Sequence, residues 1–214
     1  MPATAAVGDD LTTVFGVMNA VGLVAFALVG SLKAIDEDLD VLGVAVLGYL
    51  TALGGGTLRD ALVNRVPTVL SSTTDVWFAG GGVVLAVLLA GRIDERDLLD
   101  RALVTVPDAV GLAAFAATGA IVGAETGVSA FGVVVLGTLT GVGGGTLTDV
   151  LLDRVPFVLY EDFYATCAVA GCVAFLAARS LGLNAQVAGL ACAAVALALR
   201  LLALRLGLEL PAAS

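Results

Sequence analysis

The chain contains no histidine among its 214 residues. Histidine is the usual proton shuttle near neutral pH, the commonest metal ligand in proteins and the base that activates most Ser and Cys nucleophiles. Its absence excludes most hydrolytic chemistry, and no catalytic or metal-ligating residue is predicted. We therefore expect a protein that is not an enzyme and that needs no cofactor.

Charge is also scarce, and positive charge is scarcer than negative. Only 14% of the residues are charged, and 10 Lys and Arg stand against 19 Asp and Glu, which gives a formal net charge of −9. This sign is wrong for binding nucleic acid or coating an anionic lipid surface, so no nucleic-acid partner is expected. The acidic residues concentrate in the polar gaps, which suggests a solvated surface adapted to high salt.

Cysteine, tyrosine and tryptophan number only three, three and one. The cysteines lie inside apolar stretches without Cys-x-x-Cys spacing, which predicts small buried hydrophobes rather than a disulfide or metal site: Cys167, Cys172 and Cys192. Three of the aromatic residues, Trp77, Tyr160 and Tyr164, lie near the ends of apolar runs. This placement is typical of the aromatic belt at a membrane interface.

Apolar residues are abundant, at 59% of the chain with a mean hydropathy of +1.06, whereas ordinary soluble domains carry roughly 45–50%. A helix needs about 20 apolar residues to cross a bilayer. Seven runs of this kind predict an all-α membrane protein in contact with lipid: 11–33, 40–66, 74–91, 103–124, 128–155, 162–180 and 184–206.

The basic residues predict the orientation of these spans, because cytoplasmic loops are enriched in Lys and Arg. Alternate loops place Arg65 and Arg179 on one side. The other side receives Lys33, Arg92, Arg96, Arg101, Arg154, Arg200 and Arg205. The second side is predicted to be cytoplasmic, with the N-terminus outside and the C-terminus inside.

The sequence contains an internal repeat. A shift of 89 positions aligns residues 26–67 with 115–156 without a gap, and 20 of the 42 positions are identical. Each copy holds three spans, so the second copy must enter the membrane from the opposite face. We predict a 3+3 inverted repeat in one transmembrane domain, with repeat one at about 11–91, repeat two at about 103–180 and a seventh helix at about 184–206. Inverted repeats are typical of transport proteins.

Both overlong spans, the second and the fifth, contain three consecutive glycines near the middle: Gly54, Gly55 and Gly56, and Gly143, Gly144 and Gly145. Glycines in membrane helices often serve only close packing, which is the interpretation we favour for single ones. Each costs about 1 kcal/mol in a helix relative to Ala, so equivalent triplets favour a functional break in each span.

The motif Thr-x-x-Asp follows each triplet, as Thr57 to Asp60 and as Thr146 to Asp149. It resembles a capping box, which predicts that a new half-helix begins at each break. Freed carbonyls before each break could then replace water around a small cation. A phosphate-binding loop is excluded, because no Lys follows the glycines.

Charges predicted at bilayer depth mark a candidate pathway, because each costs at least about 2.5 kcal/mol there. Two interpretations of Arg59 stay open: a structural pair with Asp60 or Asp149, or a group that faces the pathway and limits cation binding. Asn19 and Asp108 are equivalent in the two repeats and are candidates for lining the same pathway, although Asp108 follows Pro107 and could instead lie in the first turn of its helix.

The motifs at Phe26 to Gly30, Gly43, Thr51 to Asp60 and Thr140 to Asp149 resemble the prokaryotic branch of the TRIC family, the trimeric intracellular cation channels. The resemblance covers nearly the whole chain. It implies a homotrimer with one pore per subunit, in which the second and fifth helices kink at the glycine triplets and form the constriction. It also implies conduction of K⁺ and, to a lesser degree, of Na⁺.

Two departures from the family pattern affect this expectation. Many prokaryotic relatives have Arg-Asp after both triplets, whereas this chain has Thr148 in the second copy, so the paired arginines of the family pattern do not occur here. The pore-associated lysine of animal members has no counterpart near 122–124. Some bacterial relatives are described as transporters of small solutes such as glycine, which supplies the alternative to a cation channel. A scaffold without transport is disfavoured by the polar residues inside the spans.

Overall fold

A computed structural model describes residues 13–92, 101–160 and 163–207, and in these residues the chain is all helical. Seven long helices occur there: α1 Val14–Asp36, α2 Val41–Leu62, α3 Thr74–Ala90, α4 Arg101–Thr126, α5 Ala130–Leu151, α6 Ala165–Ser180 and α7 Ala185–Leu206. Short helical turns follow α2 at Thr68–Ser71 and α5 at Phe157–Leu159. The basic residue Arg96 lies outside the described residues.

The helices are long and apolar enough for a multi-pass membrane protein. Five meet the length and hydropathy expected of a membrane span, namely α1, α2, α4, α5 and α7. The other two, α3 and α6, are apolar but shorter, at 17 and 16 residues. The predicted all-α membrane architecture is thus confirmed in the described part of the chain.

Polar side chains determine where the helices begin. Thr13, Asp40, Ser129 and Asn184 each accept a hydrogen bond from a backbone N–H three residues later, at 2.8–3.1 Å. These N-caps satisfy donors that the first turn leaves unpaired. Asp40 and Ser129 are equivalent in the repeat, so α2 and α5 begin in the same way.

The break predicted at each glycine triplet is wrong, because α2 and α5 are each one continuous helix through the triplet. The reason lies at their ends. Asn64 and Asp153 take left-handed backbone conformations, with φ of 56° and 55°, and end the helices before the apolar runs end. The remaining 22 residues of each helix span about 33 Å, which crosses a bilayer without interruption.

Helices α1 and α4 cross through reciprocal contacts between the two repeats. The rings of Phe26 and Phe115 meet edge to face, with centroids 5.2 Å apart. Gly22 lies against the Phe115 ring, and Gly111 lies against the Phe26 ring. The earlier residue of each helix contacts the later residue of the other, so the two helices run antiparallel. Because the same contact occurs twice with the roles of the copies exchanged, a local twofold axis relates the two helices.

The last two helices complete the bundle by close packing. Helix α6 packs against α4 and α5, and α7 packs against α4 and α6. Cys172 of α6 faces Gly137 of α5, and the backbone oxygen of Cys192 lies 2.7 Å from where a Cβ on Gly171 would stand. All three cysteines, Cys167 included, are free and buried, which confirms the prediction that they are small core residues.

Candidate functional site

The glycine triplets lie where the backbones of α2 and α5 pack closely against each other. A Cβ atom on Gly55 would overlap the backbone oxygen of Thr140, and one on Gly144 would overlap the backbone oxygen of Thr51. The backbones at Gly54 and Gly143 also lie against the partner triplet, at 3.3 Å from such a Cβ to the facing Cα. The packing interpretation that we gave to single glycines therefore applies to the triplets as well.

The third glycine of each triplet has no such contact. Among the described residues, the Arg59 guanidinium alone approaches within 4 Å of a Cβ placed on Gly56, at 3.8 Å, and none approaches within 4 Å of one on Gly145. Each triplet thus contributes two contact positions and one open position. We refer to this contact between α2 and α5 as the crossing.

Thr57 and Thr146 are not helix caps. Their hydroxyls donate to the backbone oxygens of Leu53 and Val142 one turn earlier, at 2.8 and 2.9 Å. The predicted capping boxes and the predicted set of freed carbonyls are therefore wrong. The physical reason is that the helix continues, so these hydroxyls meet carbonyls of their own helix rather than unpaired N–H groups.

Buried threonines surround the crossing. The hydroxyls of Thr51 and Thr148 lie 2.7 Å apart, and Thr140 donates to its own helix at Leu136. All three are at most 1% exposed. The middle of the molecule is thus polar but tightly packed.

A first polar cluster lies at one end of the crossing and comprises Asn19, Arg59, Asp60, Thr68 and Asp75. Arg59 donates to Asp60 Oδ1 at 2.8 Å, and the other carboxylate oxygen accepts from the backbone N–H and hydroxyl of Thr68 at 3.1 and 3.2 Å. Asn19 donates to Asp75 Oδ1 at 2.8 Å. These residues line a small pocket of about 20 Å³ that also reaches Gly56, Thr57 and Thr140.

A second polar cluster lies at the other end and comprises Lys33, Asp108, Asp149, Tyr164 and Arg200, together with the ring of Phe157. Lys33 pairs with Asp149 Oδ1 at 2.8 Å, and the backbone N–H of Phe157 donates to Oδ2 of the same carboxylate at 2.8 Å. The Tyr164 hydroxyl donates to Asp108 at 3.0 Å. The Arg200 guanidinium lies 4.9 Å from the Tyr164 ring centroid.

The two clusters share a plan but differ in charge. The shift of 89 positions relates Asn19 to Asp108, Asp75 to Tyr164, Asp60 to Asp149 and Thr68 to Phe157. The first cluster has two carboxylates and one cation, whereas the second has two of each. Formal charge is therefore negative at one end of the crossing and balanced at the other.

The structure distinguishes between the earlier interpretations of the charged residues. Arg59 forms the structural pair with Asp60, while Asp149 pairs with Lys33 instead. Asp108 lies well inside α4, so it is not a first-turn residue. The assignment of Tyr164 to an interfacial belt is wrong, because it is only 4% exposed.

Several members of the clusters were not predicted, namely Lys33, Thr68, Asp75, Tyr164 and Arg200. The repeat gives a signal for Asp75 and Tyr164, because the shift of 89 positions aligns these two polar residues with each other. The same shift aligns Asn19 with Asp108, which are their hydrogen-bond partners. Lys33 and Arg200 carry a weaker signal. Lys33 is the last residue of its apolar run and Arg200 lies six residues before the end of its run, and both are counted above with the basic residues of the cytoplasmic side.

The chain matches a family model described as a glycine transporter, twice, over residues 16–91 and 105–180. It is 34% identical over 196 residues to the UPF0126 inner membrane protein YadS of Escherichia coli K12, which covers 91% of this chain and 93% of that protein.

Solved structures show the same fold. One, from work on conductance through TRIC cation channels, is 36% identical with a TM-score of 0.82 and covers 94% of this chain and 97% of that one. Another is the orthologue of the TRIC trimeric intracellular cation channel from Rhodobacter sphaeroides, at 32% identity and a TM-score of 0.83, covering 91% and 99%.

Proposed function

The chain belongs to the prokaryotic TRIC family, which includes the UPF0126 membrane proteins, and from this membership we propose that it is a monovalent-cation channel that conducts K⁺ in preference to Na⁺. Each subunit of a homotrimer would hold its own pore. The pore would follow α2 and α5, with the crossing as its constriction.

The observation that carries this proposal is the pair of polar clusters at the two ends of the crossing. Arg59 and Asp60 are at most 5% exposed, and Asp149 is 4% exposed. Ionisable groups inside membrane spans are expensive and are typically found on ion or substrate pathways. The two clusters lie at opposite ends of the contact between two helices of one subunit, and this placement supports a pore within that subunit.

The proposed topology has seven spans in a 3+3 inverted repeat, with the N-terminus outside and the C-terminus in the cytoplasm. Two observations support it. The contacts between α1 and α4 and between α2 and α5 are reciprocal and antiparallel, and the family model matches the two halves at the same interval of 89 residues. In this orientation the first polar cluster faces outward and the second faces the cytoplasm.

Passage of an ion requires the crossing to widen, because the backbones at Gly55 and Gly144 leave no space beside Thr140 and Thr51. A bend of α2 and α5 at the triplets, without loss of the helix, would separate these contacts. The threonine hydroxyls around the crossing would then supply oxygen ligands to a partly dehydrated cation. Asp60, Asp75 and Asp149 would favour cations over anions.

A second candidate function is the secondary transport of a small solute such as glycine. The description of the matching family model favours it. In that mechanism the clusters would bind the carboxylate and amine of the solute on alternate sides of the crossing.

Single-channel recording of purified protein in planar bilayers tests the two candidates. A channel gives discrete current steps whose reversal potential follows the K⁺ gradient, and added glycine leaves them unchanged. A carrier turns over too slowly to give resolvable single-molecule currents. Silent bilayers together with saturable glycine uptake into proteoliposomes would contradict the channel and establish the transporter.

A further inference from the structure

We propose that Arg200, on the helix that lies outside both repeats, restricts cation passage at the second polar cluster. The inference rests on the proposed cation-channel function and assigns a specificity-determining residue to that same pathway. Arg200 is 1% exposed on α7, a helix whose most apolar window has a mean hydropathy of 2.3. A buried charge at that depth is typically retained for function.

The contacts of Arg200 place its charge over the two aromatic rings of the cluster. Its guanidinium lies 4.9 Å from the ring centroid of Tyr164, whose hydroxyl donates to Asp108. It lies 5.8 Å from the ring centroid of Phe157, whose backbone N–H donates to Asp149. A cation that approaches Asp108 therefore meets a fixed positive charge on the other side of the Tyr164 ring.

The first polar cluster has the equivalent repeat positions but no residue that corresponds to Arg200. Asp75 and Thr68 occupy the positions equivalent to Tyr164 and Phe157, and the seventh helix has no counterpart in repeat one. At that end the residues line a small pocket, and the cluster has an excess of negative charge. At the other end Arg200 lies over the rings of Tyr164 and Phe157, and its charge balances the formal charge of the cluster. The added helix thus makes a symmetric scaffold electrostatically asymmetric.

Replacing Arg200 with Met or Gln leaves the second cluster with two carboxylates and the single cation Lys33, as in the first cluster. We expect a larger single-channel K⁺ conductance, on the order of threefold, because removing a unit charge several ångströms away lowers the energy of a cation in a water-filled passage by roughly one kT. The K⁺ over Cl⁻ permeability ratio should rise with it. Arg200→Lys keeps the charge and should conduct like the wild type.

Arg205→Met is the matched control, because Arg205 lies on the same helix but is exposed. It should leave both conductance and selectivity unchanged. Should Arg200→Met fail to fold, Arg200→Gln tests removal of the same charge. The double variant Asp108→Asn with Arg200→Gln removes one charge of each sign, and it should return the conductance to the wild-type value.

A folded Arg200→Gln channel with wild-type conductance and selectivity would overturn the proposal, as would a reduced conductance, which would indicate a purely structural role. Failure of the proposed function is distinguishable, because the wild-type protein itself would then give no cation currents.

Discussion

Within each glycine triplet, some positions have no room for a larger side chain and one position has room for it. Gly55 and Gly144 contact backbone oxygens of the partner helix, whereas Gly56 and Gly145 have open space. A glycine at an open position of a helix is a net cost in stability. Conversely, a glycine at a contact position permits the approach of the two backbones.

This division predicts opposite effects of alanine within one triplet. Gly55→Ala and Gly144→Ala should destabilise the protein by about 1–3 kcal/mol, because the added methyl group collides with a backbone that has no freedom to retreat. Gly145→Ala should be neutral or stabilising by up to about 1 kcal/mol, because it only improves helix propensity. Thermal unfolding in detergent measures the difference, and K⁺ flux from proteoliposomes shows whether the crossing still opens.

Equal losses for Gly144→Ala and Gly145→Ala would contradict this account, since they would show that helix flexibility matters more than the contact. Gly56→Ala is the matching control in repeat one.

Lys33 and Asp149 form a partly buried ion pair that joins the first repeat to the second. Lys33→Met should cost about 3 kcal/mol, because it leaves the buried Asp149 carboxylate without its cation, and Asp149→Asn should cost less, because Lys33 is partly exposed. The double variant should lose much less than the sum of the two single losses. A double-mutant cycle on unfolding in detergent measures this coupling, and strictly additive losses would show that the pair contributes no interaction of its own.

The helices show where sequence reasoning succeeds and where it fails. Apolar runs and polar caps place the starts of α2 and α5 within two residues of the structure. Their ends were predicted four residues too late, because Leu62 to Val66 is still largely apolar although a left-handed Asn64 has already ended the helix. That error made the spans seem too long, and a break was inferred to shorten them.

The ends of α1 and α5 are connected by a surface cluster in which Arg154 pairs with Glu37 and lies 4.0 Å from Asp36. The side chains are 43% and 34% exposed. Arg154→Ala should lower stability by no more than about 1 kcal/mol, and the loss should vanish in high salt, because exposed pairs are screened. Thermal unfolding at low and high KCl measures this. A large, salt-independent loss would assign this cluster a role like that of the buried pair.

The architecture of the whole molecule follows from the repeat more directly than the chemistry of its site does. An alignment of the chain with itself indicates which residues are equivalent, and it correctly relates Asn19 to Asp108 and Asp60 to Asp149. It does not show which partners reach them from elsewhere. Lys33 is equivalent to the uncharged Val122, and Arg200 lies outside both repeats. Their places in the second cluster therefore depend on packing that only the folded molecule shows.

The seven-span topology predicts that the two ends of the chain lie on opposite sides of the membrane. A reporter that is active only in the cytoplasm should be active when fused to the C-terminus and inactive when fused to the N-terminus. A reporter that is active only outside should show the reverse pattern. Activity of the same reporter at both ends would mean that the number of spans is even. In that case one of the two shorter helices, α3 or α6, would not cross the membrane.

The central claim is that ions pass within one subunit, through the crossing, with the equivalent faces of the two repeats turned to opposite sides of the membrane. Gly56→Cys and Gly145→Cys place a thiol at the open position of each triplet, and the three native cysteines are buried, so the wild type supplies the baseline. Gly81→Cys is the control, because Gly81 is exposed on α3 with nothing within 4 Å of an added Cβ.

The decisive measurement is block of the K⁺ current by a membrane-impermeant cationic thiol reagent applied to one side at a time. We expect external reagent to block Gly56→Cys, cytoplasmic reagent to block Gly145→Cys, and neither to block Gly81→Cys. Currents through both triplet variants that persist after their thiols have been modified, or block of both from the same side, would contradict the account.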